Sequence, residues 1–300
     1  MMNKLLKSIF VAIIPFFTIV LFSVFFSNHN IYCSFNNEYG LYHYYKNERV
    51  KIYYKSECSK EFLKVFTTNV QGAIDIYEKL HDFNKGRTYS IAEVDQTCGT
   101  CCGRIGFPGI EIQTGKFLKI YNSYTKYKKF DSLVFYELGR NFWFYDDQLT
   151  CSESGISNAM RTGFAVFMRN ICVDKLSIDA DSINYISYNQ YLKDLKSIFY
   201  YYSADTTLNI DKVLIDDILP EISSDLEVTG SNFWASLLFF LYDQKGFGDD
   251  WLNRIWSDIS KKPESQNEND ILKNFFSACN PASEETIENL FENSIKWTGR

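Results

Sequence analysis

The sequence predicts an α+β fold in which strands precede an all-helical region. Three observations predict it. Strand-like patterning with a period of two is confined to the segments before residue 122. Apolar residues recur at helical spacing over 60–82 and again from Tyr127 to the end of the chain. Hydrophobic residues make up 46% of the 300 positions and there are only 5 prolines, which suits a real core rather than a linker-rich chain.

The chain opens with Lys4 and Lys7 ahead of an apolar run over 9–26, broken only by Pro15, Thr18 and Ser23. Such a run lies between a signal-peptide core and a full span, because a helix needs about 20 residues to cross a bilayer. No small-x-small cleavage site follows it, so an uncleaved signal anchor is expected over 1–33 in preference to a cleaved signal peptide. With the lysines kept inside, the bulk of the chain is expected to be extracytoplasmic, either membrane-anchored or secreted. The membrane is then an expected partner through this segment.

Segments 41–45 and 50–54 alternate as strands, and 60–82 is expected to be one long helix, with Leu63, Val65, Phe66, Val70, Ala73, Ile74, Ile76 and Tyr77 recurring at helical spacing. A strand over 88–94 leads into a Cys/Gly-rich loop over 95–109. Strands are expected at 109–113 and 117–121, closing an N-terminal α/β part over 34–126. From 127 to 300 the pattern is helical. Phe130, Leu133, Val134, Leu138, Phe142 and Tyr145 form one stripe. Further helices are expected at 156–173, 188–202, 213–222, 233–245, 251–259, 271–278 and 285–295.

The net charge of −6 is unevenly spread: residues 201–300 hold 18 Asp/Glu against 8 Lys/Arg, the first 200 hold 19 against 23. An acidic helical third is a poor surface for phosphates, so nucleic acid is not an expected partner. All eight cysteines follow the apolar run, and an even number beyond an export signal suggests disulfides. Candidate pairs are Cys151 with Cys172, Cys33 with Cys58, and Cys98 with Cys102; spacing alone does not fix the connectivity.

The segment most charged with chemical meaning is Tyr136-Glu137-Leu138-Gly139-Arg140. Zinc-dependent hydrolases use a helix with His at i and i+4, which grip one metal, and Glu at i+1, which takes a proton from metal-bound water. Here the spacing and the glutamate are present, but Tyr136 and Arg140 occupy the two ligand seats. A second segment, Thr162-Gly163-Phe164-Ala165, follows at a distance suited to a neighbouring helix.

Together these motifs resemble the gluzincin metallopeptidases, the class of thermolysin-like and aminopeptidase-like enzymes. In that family the His-Glu-x-x-His helix is followed by a helix with Asn-Glu-Gly-x-Ala, whose Glu is the third zinc ligand. The resemblance covers roughly residues 85–300. It implies that Glu137 matches the general base, that Thr162 takes the third-ligand seat, and that Gly163 and Ala165 match the Gly-x-Ala. It also implies that 109–113, with Gly109 and Glu111, is the edge strand of the substrate cleft. All three ligands are substituted, and the interval from Arg140 to Thr162 is slightly longer than in aminopeptidases. The only histidines are His29, His43 and His81, none near the motif.

No cofactor and no metal are therefore expected. The expected function is a non-catalytic, metallopeptidase-like module that binds a peptide or protein in the cleft around Tyr136, Arg140 and Thr162. Two alternatives stand beside it: a metal-independent hydrolase with Glu137 as general base, and a zinc peptidase with atypical ligands. Glu137 and Arg140, three apart on a helix, are also expected to pair with each other. No Gly-x-Ser-x-Gly or Gly-Lys-Ser/Thr element offers another chemistry.

Overall fold

The computed structural model describes residues 43–81, 85–151, 155–243, 247–279 and 290–297. The fold is α+β, dominated by helix, with a small mixed sheet. The sheet has five strands: β1 (His43–Lys46), β2 (Val50–Tyr54), β3 (Tyr89–Val94), β4 (Cys101–Gly103) and β5 (Gly109–Gln113). Their spatial order is β1-β2-β3-β5-β4. The three central strands run parallel, and β1 and β4 pair antiparallel on the outside. Helix α1 (Lys60–His81) makes the crossover from β2 to β3. It buries Phe62, Phe66, Val70, Ala73, Ile74 and Tyr77 along one face, as the 3.6-residue period requires.

Two expectations about this region fail. The segment 117–121 is not a strand but part of α2 (Thr114–Tyr127), which buries Phe117, Ile120 and Ser123. Phe117, Ile120, Tyr121 and Tyr124 are spaced at three, four and seven residues, and that helical register wins over the short local alternation. The second failure is β5. It was expected to be an edge, yet the Cys/Gly-rich segment folds back as β4 and pairs with it, Cys102 opposite Glu111. Gly109 and Glu111 are therefore buried in the sheet interior; Glu111 accepts a hydrogen bond from Thr97 Oγ1 at 2.9 Å.

The helical region follows as α3 (Leu133–Asn141), α4 (Asp146–Leu149), α5 (Gly155–Lys175), α6 (Tyr188–Ala204), α7 (Ile210–Leu214), α8 (Gly230–Tyr242), α9 (Asp249–Ile259) and α10 (Glu268–Cys279), with a π-helical turn at Leu290–Ile295. The helix expected over 213–222 is thus only a short turn beginning earlier. Helices α6, α7 and α8 start where Ser187, Asn209 and Thr229 accept backbone N–H groups of the first turn. Helix α5 is central: α8 packs along it on one side and α3 on the other. Its two small residues make this possible. A Cβ on Gly163 would stand 2.6 Å from the Ser231 carbonyl of α8, and a Cβ on Gly139 of α3 would stand 2.8 Å from Ala165. Helix α1 packs on α3, α5 and α9, so sheet and helical region share one hydrophobic core. Trp143, Trp234, Trp251 and Trp256 all lie in it. Phe199 and Tyr202 are buried while Tyr200 and Tyr201 face outward, so that aromatic run is core and rim.

The membrane expectation is corrected. Among the described residues no helix is long and apolar enough to cross a membrane. The apolar run at 9–26 lies outside the described residues. The signal anchor, the membrane as partner and the extracytoplasmic location inferred from them are accordingly withdrawn.

The disulfides also differ from expectation. Cys98 and Cys102 are bonded, closing a small loop ahead of β5. Cys172 keeps its thiol, so the Cys151–Cys172 pair does not form; the Cys33–Cys58 pair rests on Cys33, which lies outside the described residues. The reason for the first is distance. The Cys151 amide bonds to Ser157 near the start of α5. Cys172 lies fifteen residues further along the same helix, roughly 22 Å away at 1.5 Å per residue, against the few ångströms a disulfide spans.

Candidate functional site

Helices α3 and α5 bring together Tyr136 and Arg140, singled out by the motif spacing, and Thr162, singled out by the family resemblance. The Arg140 guanidinium donates to the Tyr136 hydroxyl at 2.7 Å and to Thr162 Oγ1 at 3.0 Å. Thr162 in turn donates to Asn158 Oδ1 at 3.3 Å. All three of Tyr136, Arg140 and Thr162 are half-buried. Residues 136 and 140 lie one turn apart on α3, and the Gly139–Ala165 contact draws α5 close enough for Thr162 to complete the cluster.

Glu137 does not join it. Its side chain turns the other way, under β4, and is 8% exposed. One carboxylate oxygen accepts the Gly103 N–H at 2.8 Å. The expected ion pair with Arg140 does not form, because the guanidinium is engaged on the opposite side with Tyr136 and Thr162. Burial pushes the Glu137 carboxyl up to about 7, while the Gly103 N–H and the nearby Arg140 charge pull it down less strongly. The close seating of β4 is visible in Gly103 itself: a Cβ there would stand 2.1 Å from the Glu137 carbonyl oxygen.

Tyr136 and Thr162 line a cavity of about 650 Å³ between α3, α5, the start of α6 and the segment before α8. Its charged lining consists of Lys116, Asp131, Arg169, Asp225 and Glu227. Lys116 and Asp131 are paired with each other. Asp225 and Glu227 are exposed. Arg169 is different, being 7% exposed and lying in α5 two turns beyond Thr162. Its guanidinium donates to the Tyr191 hydroxyl and lies 5.0 Å from the centroid of that ring and 5.9 Å from that of Tyr136. The sequence reading missed Arg169, although the signal was present: it is the only charged residue in the largely apolar stretch between Gly163 and Val173.

The remaining titratable groups do not add to this site. His81 is buried, within 3.0 Å of the Tyr145 hydroxyl, and desolvation lowers its pKa to about 3, so it stays neutral. Among the described residues no group of three or more His, Cys, Asp or Glu side chains is placed to hold a metal ion.

No protein-family model matches the sequence, and no curated protein matches it. Among solved structures the chain is similar to a functionally unknown conserved protein from Bacillus anthracis strain Ames, crystallised as a mutant, with a TM-score of 0.55 and 9% identity. The likeness covers 85% of this chain and 48% of that one, so the chain spans about half the length of that neighbour. At such identity the similarity speaks for a shared fold alone.

Proposed function

We propose that the chain is a gluzincin-like domain that binds a peptide or protein segment in its former catalytic cleft without cleaving it. One observation carries this reading: Tyr136, Arg140 and Thr162, which the resemblance puts in the three metal-ligand seats, meet in one hydrogen-bonded cluster beside an open cavity. A guanidinium there supplies positive charge and directional donors. It does not acidify a water molecule as a zinc ion does, so binding survives and hydrolysis is lost.

A hydrolase using Glu137 as general base is the weaker reading. A carboxyl near 7 is well tuned for proton abstraction, but a base must reach the proton it takes. Glu137 is capped by β4 and is not among the residues lining the cavity. A zinc peptidase with atypical ligands gains no support from the grouping of His, Cys, Asp and Glu among the described residues.

The ancestry part is tested by refilling the seats. The triple variant Tyr136→His, Arg140→His, Thr162→Glu is expected to gain stoichiometric zinc binding by isothermal titration calorimetry. A variant that folds by circular dichroism and takes up no zinc would sink the mapping. The binding part is tested with a pool of short peptides. Wild-type protein is expected to retain some of them with no new termini in mass spectra, and cleaved products would overturn the non-catalytic reading.

A further inference from the structure

We propose that Arg169 is a carboxylate anchor and that the cavity takes the free C-terminus of an extended peptide. The proposal rests on the peptide-binding reading above for its ligand, but not for the anchor itself.

Arg169 is a cation withdrawn from water with no counter-charge among the described residues. It is 7% exposed, its one hydrogen bond goes to a neutral phenol, and its Nε–H finds no acceptor. Buried charges in folded proteins are almost always paired, because desolvation of an ion costs several kcal/mol. The other buried-side cation of the cavity, Lys116, follows that rule through Asp131. Arg169 breaks it at a place where a ligand is able to supply the missing anion. The guanidinium lies within cation–π range of the Tyr191 ring and at the edge of that range from the Tyr136 ring.

The arrangement selects a carboxylate. A planar guanidinium fork matches two coplanar oxygens. A single unpaired cation balances a single negative charge. The exposed Asp225 and Glu227 at the cavity rim disfavour a dianion such as phosphate ester. The reach also fits a peptide. Thr162, Val166 and Arg169 share one face of α5, and seven residues of helix span roughly 10 Å. That is about three residues of extended chain. A peptide whose terminal carboxylate meets Arg169 therefore lays its third-last residue against the Tyr136–Arg140–Thr162 cluster.

The test compares two pools of identical tripeptides to hexapeptides, one with free C-terminal acids and one with C-terminal amides, on full-length protein. Hexanoate and hexanamide serve as small probes followed by NMR shifts. Wild type is expected to retain the acid pool at least about ten-fold better than the amide pool, the scale of one charge-assisted hydrogen bond. Arg169→Met is expected to lose that preference, and Arg169→Lys to keep the acid preference with weaker binding. If Arg169→Met fails to fold, the lysine variant and the hexanoate response decide. Equal retention of acids and amides by wild type overturns the anchor and leaves peptide binding standing. Hexanoate shifts that vanish in Arg169→Met and weaken in Arg169→Lys, with no peptide retained, uphold the anchor and remove the peptide reading. Blank results in both arms, or an acid preference that survives Arg169→Met, overturn the proposal.

Discussion

Two buried side chains set opposite pH slopes, and their signs follow from their shifts. Glu137 is raised from 4.5 to about 7, so the folded protein holds a proton that the unfolded chain releases. Stability therefore falls as pH rises through that window, by about 3 kcal/mol in total at 1.36 kcal/mol per unit. His81 is lowered from 6.5 to about 3, so the unfolded chain takes a proton that the folded protein refuses. Stability then falls as pH drops below 6.5. Between 4.5 and 6.5 the two slopes offset each other, leaving a plateau with a decline on either side. Glu137→Gln is expected to remove the alkaline decline and the offset, so that stability rises with pH up to 6.5 and the urea midpoint at pH 8 exceeds that of wild type. An alkaline limb that persists in the variant places its origin elsewhere. The same residue shows what spacing reveals and what it hides. The 136–140 interval put Tyr136 and Arg140 on one helix face, and Thr162 came only from the family resemblance; the three side chains lie in one hydrogen-bonded cluster. It did not reveal that Glu137 turns under a strand, because that depends on a partner 34 residues earlier in the chain.

That partner strand is the element on which the site turns. Three residues long, with Cys101 and Cys102 both buried, β4 offers no alternation for a reader of sequence to find. Its presence converts β5 from edge to interior and seals Glu137, so one unreadable element misplaced Gly109, Glu111 and the cleft wall together. The long amphipathic helices were legible because many buried positions repeat the same period, as along α1 and α5. Two changes should loosen β4 specifically. Gly103→Ala forces a methyl into the Glu137 backbone and is expected to cost about 3 kcal/mol, the upper range for overpacking, read as a lower thermal midpoint. Reduction of Cys98–Cys102 removes a small-loop constraint of roughly 2 kcal/mol and is expected to speed hydrogen exchange at the Gly103 amide, with α8 amides unaffected. Uniform acceleration across the molecule would show that β4 is not an independent unit.

Across the whole molecule, the sheet and the helical region are held as one body by α1, whose faces meet α3, α5 and α9. The far end is tied in by a different device. The Tyr202 hydroxyl, buried in α6, donates to the Ile295 carbonyl, and Lys296 Nζ donates to the carbonyls of Tyr202 and Asp205 at 2.9 and 2.7 Å. The Trp297 ring lies tilted against Phe276, with centroids 4.9 Å apart. Removing the residues from 290 onward strands a buried hydroxyl and uncovers an aromatic surface. It is expected to cost on the order of 3 kcal/mol in denaturant unfolding, whereas an unchanged midpoint would make this segment dispensable. Such long-range closure is invisible to local patterning, which is why the architecture was readable as a class while its wiring was not.

The contact between Gly139 and Ala165 has one more consequence. Two helices pressed together backbone to backbone hold their crossing by shape, and need no inorganic clasp at the junction. Positions 136, 140 and 162 carry no duty to keep the scaffold upright. Their side chains are therefore open to exchange one at a time on an unchanged chassis.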